Sequence, residues 1–197
     1  MWVVADQEIQ IVPRGAEIPF DNRPHSIVVL ERGPVPNRIF CEVLFSAFRN
    51  TVYEEPYSVR SAYDSTLGFR EIVWHDSRPL GELQFGGTDY ATLLQHFNFE
   101  KAREYASEFD LFGTAGPWII STYPANRRSV LLDFYGLPPN RLAKAIANWK
   151  LQVIDPVFWT EIRSQDWAVV NLLASLDNAR KEGLLLQVSY NGRVSRY

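Results

Sequence analysis

The sequence predicts an α+β fold: a largely antiparallel sheet with about four helices packed on it, a strand-rich N-terminal half and a C-terminal β-hairpin. Three observations lead to this class. Short apolar runs bounded by Gly, Pro, Asn and Asp recur through the first 86 residues. Two runs apolar on both faces, residues 117–123 and 128–136, are followed at once by an amphipathic stretch carrying Leu142, Ile146, Trp149 and Val153. Near the C-terminus, Asn191-Gly192 joins two alternating runs, a strong signal for a two-residue hairpin turn.

Taken in order, residues 8–12 alternate, with Ile9 and Ile11 on one face and Gln10 on the other, until Pro13-Arg14-Gly15 ends the strand. Residues 19–24 read as a loop, with His25 at its Pro-flanked end and solvated. Residues 26–31 form a β-branched strand bounded by Arg32-Gly33-Pro34. Residues 39–48, dense in Phe, Val and Leu, fit either a strand or a short buried helix, because periodicity alone does not separate the two. Residues 52–63 carry Pro56 and read as an edge or broken strand. Residues 69–75 and 80–86 are expected to pair as a hairpin across Asp76-Ser77-Arg78-Pro79.

The second half is mixed. Thr88 is expected to cap a helix with Tyr90, Leu93, Leu94 and Phe97 at helical spacing, and Asn98 restarts it toward Tyr105, Ala106 and Phe109. After the double strand and its helix, Asp155-Pro156 opens another helix. Residues 165–182 form a longer one, ended by Arg180-Lys181-Glu182-Gly183. Residues 184–190 and 193–197 make the closing hairpin. No flexible spacer separates residues 1–86 from 87–197, so the expectation is one α+β domain over residues 1–197.

Composition bounds the function. Hydrophobic residues make up 46% and charged residues 22%, and the formal net charge is −3. That balance gives no basic stripe for nucleic acid or an anionic membrane, so neither nucleic-acid binding nor membrane insertion is expected. A single cysteine, Cys41, forms no intramolecular disulfide, and no Cys/His cluster has zinc spacing. These features point to a soluble cytoplasmic protein with no metal and no cofactor.

Candidate chemistry is sparse. His75-Asp76 looks like a metal-binding pair, but it ends a strand and enters a turn instead of projecting from a helix. His96 flanks an apolar helical stripe. Residues 85–89 place two glycines before a helix start, yet Asp89 would sit where a phosphate must go. Cys41 lies in an apolar run, where a thiol is inert. Glu54 and Glu55 are adjacent and cannot share a face if extended. Asp133 is the one acid inside an otherwise apolar strand, sharing a face with Leu131 and Tyr135, and it needs a donor if buried. With Tyr135 and His75 it forms the candidate catalytic set, set against a structural role in the turn at residues 136–140.

A second bias favours association. Aromatic residues reach 14%, and sixteen Arg stand against four Lys, the pattern enriched at protein–protein interfaces. Phe158, Trp159 and Arg163, and the pair Arg127-Arg128, are the candidate partner anchors. Adjacent aromatics on a helix lie about 100° apart, so Phe158 and Trp159 do not both share one face. The function expected from these features is a non-catalytic protein-interaction module: an accessory, immunity- or inhibitor-type, or assembly subunit that binds another protein. The alternatives are a small hydrolase or transferase with its site near Asp133, and a small-ligand binding domain with an aromatic pocket.

Overall fold

The structure is a computed structural model, and it describes residues 9–18, 25–31, 34–49, 72–82, 90–107, 109, 116–123, 128–153, 185–190 and 193–196. In chain order the elements are β1 (Ile9–Val12), β2 (His25–Val29), α1 (Pro34–Arg49), β3 (Ile72–His75), a 3₁₀ turn (Leu80–Glu82), α2 (Tyr90–Gln95), α3 (Phe99–Tyr105), β4 (Trp118–Tyr123), β5 (Arg128–Asp133), α4 (Pro139–Val153), β6 (Leu185–Tyr190) and β7 (Arg193–Arg196). The strands form a mixed sheet in the order β1-β3-β2-β4-β5-β6-β7, and the class is α+β. β3 runs parallel to both β1 and β2, while β2-β4-β5-β6-β7 are antiparallel neighbours.

The parallel part departs from the expected hairpin. Residues 69–75 were expected to pair with 80–86, but β3 has β1 on one side and β2 on the other. With both its edges taken, no hydrogen-bonding side remains for a hairpin partner. Leu80–Glu82 instead forms a tight 3₁₀ turn. The 39–48 ambiguity resolves as helix, and α1 begins at Pro34, a residue whose missing N–H costs nothing in a first turn. Its buried positions Asn37, Phe40, Cys41, Leu44 and Phe45 recur at spacings of three and four, one helical face. Asn37, the polar member, donates from Nδ2 to the Glu31 carbonyl and ties the helix to the end of β2. His25 is not in a solvated loop; it starts β2 and is buried. Several expected features fall outside the described residues: the strand at 52–63, the phosphate-loop-like residues 85–89 with the Thr88 cap, the helices after Asp155 and the Asn191-Gly192 turn.

Helices cover both faces of the sheet, which is why β2 and β3 are buried along their whole length. On one face, α1 packs against α4. Phe45 meets Trp74 of β3 edge-on at 5.6 Å, and the Trp149 indole N–H of α4 donates to Ser121 Oγ at 3.0 Å. Ser121 Oγ is also 2.8 Å from Ser26 Oγ. The two buried hydroxyls and the indole therefore satisfy one another and fix the β2–β4 register beneath α4. On the opposite face, α3 lies over β2 and β3, with Ala102 fully buried toward them. Small side chains there let the helix backbone come close to the sheet.

Between the helices and the sheet runs one apolar cluster that includes Ile27, Leu30, Phe40, Leu44, Trp74, Trp118, Ile119, Leu132, Leu142 and Ile146. Fully burying a side chain of this size contributes roughly 2 kcal/mol. Gly116, at φ +61°, shows how tightly it closes: a Cβ there would lie 2.5 Å from the Trp118 ring. Any larger residue must displace the indole.

Candidate functional site

Among the described residues, two places gather the polar side chains that could do chemistry. The first is the carboxyl end of β3. Past His75 the chain stays clamped between two neighbours: Asp76 N–H donates to the Val12 carbonyl at 2.9 Å, while Ser77 N–H donates to the His96 carbonyl at 2.7 Å. Asn98 N–H returns to the His75 carbonyl at 2.8 Å, so residues 96–98 run antiparallel against the strand's end.

Within this clamp the Asp76 side chain is fully buried and, among the described residues, held by Arg78. Oδ1 accepts the Arg78 backbone N–H at 2.8 Å and its Nε at 2.9 Å, and Oδ2 accepts Nη2 at 2.7 Å. A bidentate guanidinium with a backbone bond is the arrangement that lets a carboxylate be buried as an ion. The same bonds hold the Arg78 guanidinium protonated more firmly than usual. This is a structural staple for the turn, and its acid is fully engaged.

His75 lies next to it and is 1% exposed. Its ring stacks on Tyr105 of α3, with centroids 5.2 Å apart and planes 15° from parallel. Lys101 sits 5.7 Å from the Tyr105 ring centre and pairs with Glu104 at 2.6 Å. Burial first, and the Lys101 charge second, push the His75 pKa down to about 4, against an opposing pull from Glu104. The imidazole is therefore neutral at physiological pH, and Nε2 has no hydrogen-bond partner among the described residues. Tyr105 is in turn pushed upward, chiefly by its own partial burial.

The second place is the turn after β5. Asp133 closes the strand beside Trp118 of β4 and is 4% exposed. Its Oδ1 accepts the Tyr135 backbone N–H at 2.9 Å, a side-chain-to-backbone bond two residues on. Phe134 turns inward onto Phe40 of α1, with ring centroids 5.5 Å apart. Tyr135 turns outward and is 54% exposed. Gly136 takes φ +73°, a left-handed conformation that favours glycine, and α4 begins three residues later. The turn is thus fixed by a buried acid, a buried aromatic and a glycine, and what it presents is a tyrosine.

The sequence-derived candidates separate in space. Asp133 and Tyr135 are neighbours across this turn, but the tyrosine ring is not on the strand face that Asp133 occupies; it has left the strand. His75 is on β3, with β2 and β4 between it and β5. Arg128 begins β5 opposite Tyr190 of β6. Arg127, Phe158, Trp159 and Arg163 lie outside the described residues. The Asp76–Arg78 clamp went unrecognised as anything beyond turn chemistry; an acid and an arginine two apart in a turn are the signal that could have found it. Cys41 is buried, and burial drives its thiol up to about 12.

Among the described residues no group of three or more His, Cys, Asp or Glu side chains is placed to hold a metal ion. Nor, among them, is any helix long and apolar enough to cross a membrane. No family model, curated protein or solved structure matches this chain.

Proposed function

We propose that this chain, a single α+β domain closed by a C-terminal β-hairpin, is a non-catalytic protein-interaction module working in the cytoplasm. Its class is an accessory, inhibitor-type or assembly subunit, and its partner is another protein. One observation carries the proposal: Tyr135 is a large, half-exposed aromatic on a turn that the Asp133 bond, the Phe134–Phe40 contact and the Gly136 conformation hold in place. Tyrosine is among the residues that dominate binding energies at interfaces. A preordered anchor also gives up little conformational freedom on binding. In this reading Asp133 is a positioning residue for the turn.

The test is capture of partners by the tagged full-length chain from its native cell, compared with Tyr135→Ala. A stoichiometric partner is expected with the unaltered chain, and its affinity should fall about 30-fold or more in the variant, the signature of an anchor residue. Melting should stay within about 0.5 kcal/mol of the unaltered chain, because Tyr135 is exposed. A monomer with no partner, or a partner indifferent to Tyr135→Ala, would refute the proposal. If Asp133→Asn abolished a measurable hydrolase or transferase activity without loss of stability, the enzyme alternative would take its place.

A further inference from the structure

Beneath α3 lies a ring that does not accept a proton where it stands. His75 is almost wholly buried, and its Nε2 is closed off from water with no partner among the described residues. Whichever nitrogen carries the hydrogen in the neutral ring, both carry one in the imidazolium. Protonation in place would leave a charged N–H with neither an acceptor nor solvent. β3 is fixed between β1 and β2, so the strand does not carry the ring outward. Relief has to come from the element laid over the ring.

That element is α3. Its Tyr105 ring covers His75, with the two planes 15° from parallel. The helix has seven residues, too few to persist without its neighbours. Toward the sheet it buries Ala102, with Ala106 just past its end. Each has a one-carbon side chain, so little apolar area returns to water when the helix lifts. Its ties to the sheet include the Asn98 N–H bond to the His75 carbonyl and the Arg103–Glu31 pair at 3.0 Å. The latter is partly exposed, the kind of ion pair that adds little.

The charges around the ring do not offset a proton on it. Lys101 and His25 oppose one, and Glu104, which favours one, is paired with Lys101 at 2.6 Å. Glu17, from the chain after β1, acts on Lys101 and Tyr105. Asp76 is bound through both carboxylate oxygens to Arg78, and β1 places the apolar Val12 opposite His75.

We infer that α3 is an acid-opened lid: proton uptake at His75 frees the helix from β2 and β3 and uncovers the sheet beneath. By the alternation of the strand, Val73 lies on the His75 face, and it pairs with Ile27 of β2. Both are buried on the side that α3 covers. The open form binds the proton at the ordinary histidine pKa and the closed form resists it, so falling pH favours opening. With the ring held down to about 4 in the closed form, the opening equilibrium should rise about 20-fold from pH 7 to pH 5. Tyr135 has no part in this device, which stands or falls apart from the docking role proposed above.

Native-state hydrogen exchange on the full chain tests it, at pH 7 and pH 5, with urea kept below the unfolding transition. After correction for intrinsic rates, amides of residues 99–105 should open about 20-fold more often at pH 5. Their opening should depend little on urea, since a small local movement exposes little surface. Amides of β4 and β5 should keep the steep urea dependence of global unfolding at both pH values. If residues 99–105 follow the steep sheet curve at pH 5, or open equally at both pH values, the inference is overturned; neither comparison needs a variant. In His75→Phe, which keeps a flat ring against Tyr105, the acid-induced rise should vanish while the shallow urea dependence remains. A rise of the same size in His75→Phe would place the sensor at another group and overturn the inference as well.

Discussion

His75 places a titratable ring in the layer between β3 and α3, and its consequence is a pH-dependent stability. Its folded pKa, about 4, lies below the ordinary value of 6.5. Between those two values the unfolded chain binds the proton and the folded chain does not, so stability rises with pH across that window. It is fully present above about pH 6.5 and is lost as pH falls toward 4. From pH 7 to pH 5 the loss due to this residue is about 2 kcal/mol. Urea denaturation at the two pH values should show this difference, and His75→Phe should remove about that much of it. An unchanged pH slope in the variant would show that the ring titrates normally in the folded state. At this scale the sequence was partly legible. Asp133 stood out as an acid among apolar neighbours, and its need for a donor could be stated in advance. That the donor would be the backbone of Tyr135 was not visible, since it depends on where the strand ends. His75 read as the end of a strand, yet the ring that covers it belongs to a helix some thirty residues further on.

Elements whose contacts are local were the most readable. β4 and β5 are separated by four residues and α4 follows directly, so the apolar pattern and the order of the chain were enough to place them together. Asn98 likewise announced itself: α3 begins behind it, and its Oδ1 accepts the Lys101 N–H at 3.0 Å. A seven-residue helix is too short to persist alone, so its cap and its packing on β2 and β3 must hold it. Asn98→Ala should cost about 1 kcal/mol and Asn98→Asp much less. Amide exchange across residues 99–105 should speed up in the alanine variant, and equal protection in both would argue against the cap. The position of β3 was hidden for the opposite reason. A buried parallel strand and a hairpin strand share the same apolar run, and the partners that decide between them lie far away in the chain. In α1 the difficulty was density: with apolar residues on several faces, helix and strand patterns both matched, until Asn37 and its neighbours showed which side was buried.

For the whole molecule, Cys41 is a reporter already in place. It is inaccessible, in the helix that packs against α4, and its thiol is held protonated far above neutral pH. Modification by a disulfide-exchange reagent at pH 7.5 should therefore proceed only as fast as the protein opens globally, and should match the unfolding rate measured in urea. Labelling at the rate of a free thiol would mean that the α1 layer opens on its own. The insertion of β3 between β1 and β2 suggests which part assembles last. Ser26 and Ile9 both pair with Ile72, so forty-six positions of chain must be looped before the β2–β3 contact forms and sixty-three before the β1–β3 contact, whereas β4 meets β5 across four. Closing these longer loops costs more entropy before any pairing is returned. Until β3 arrives, β1 has no neighbour in the sheet and β2 leaves one edge unpaired, open to any extended chain nearby. The longer that edge stays open, the more chance another chain has to take the place of β3.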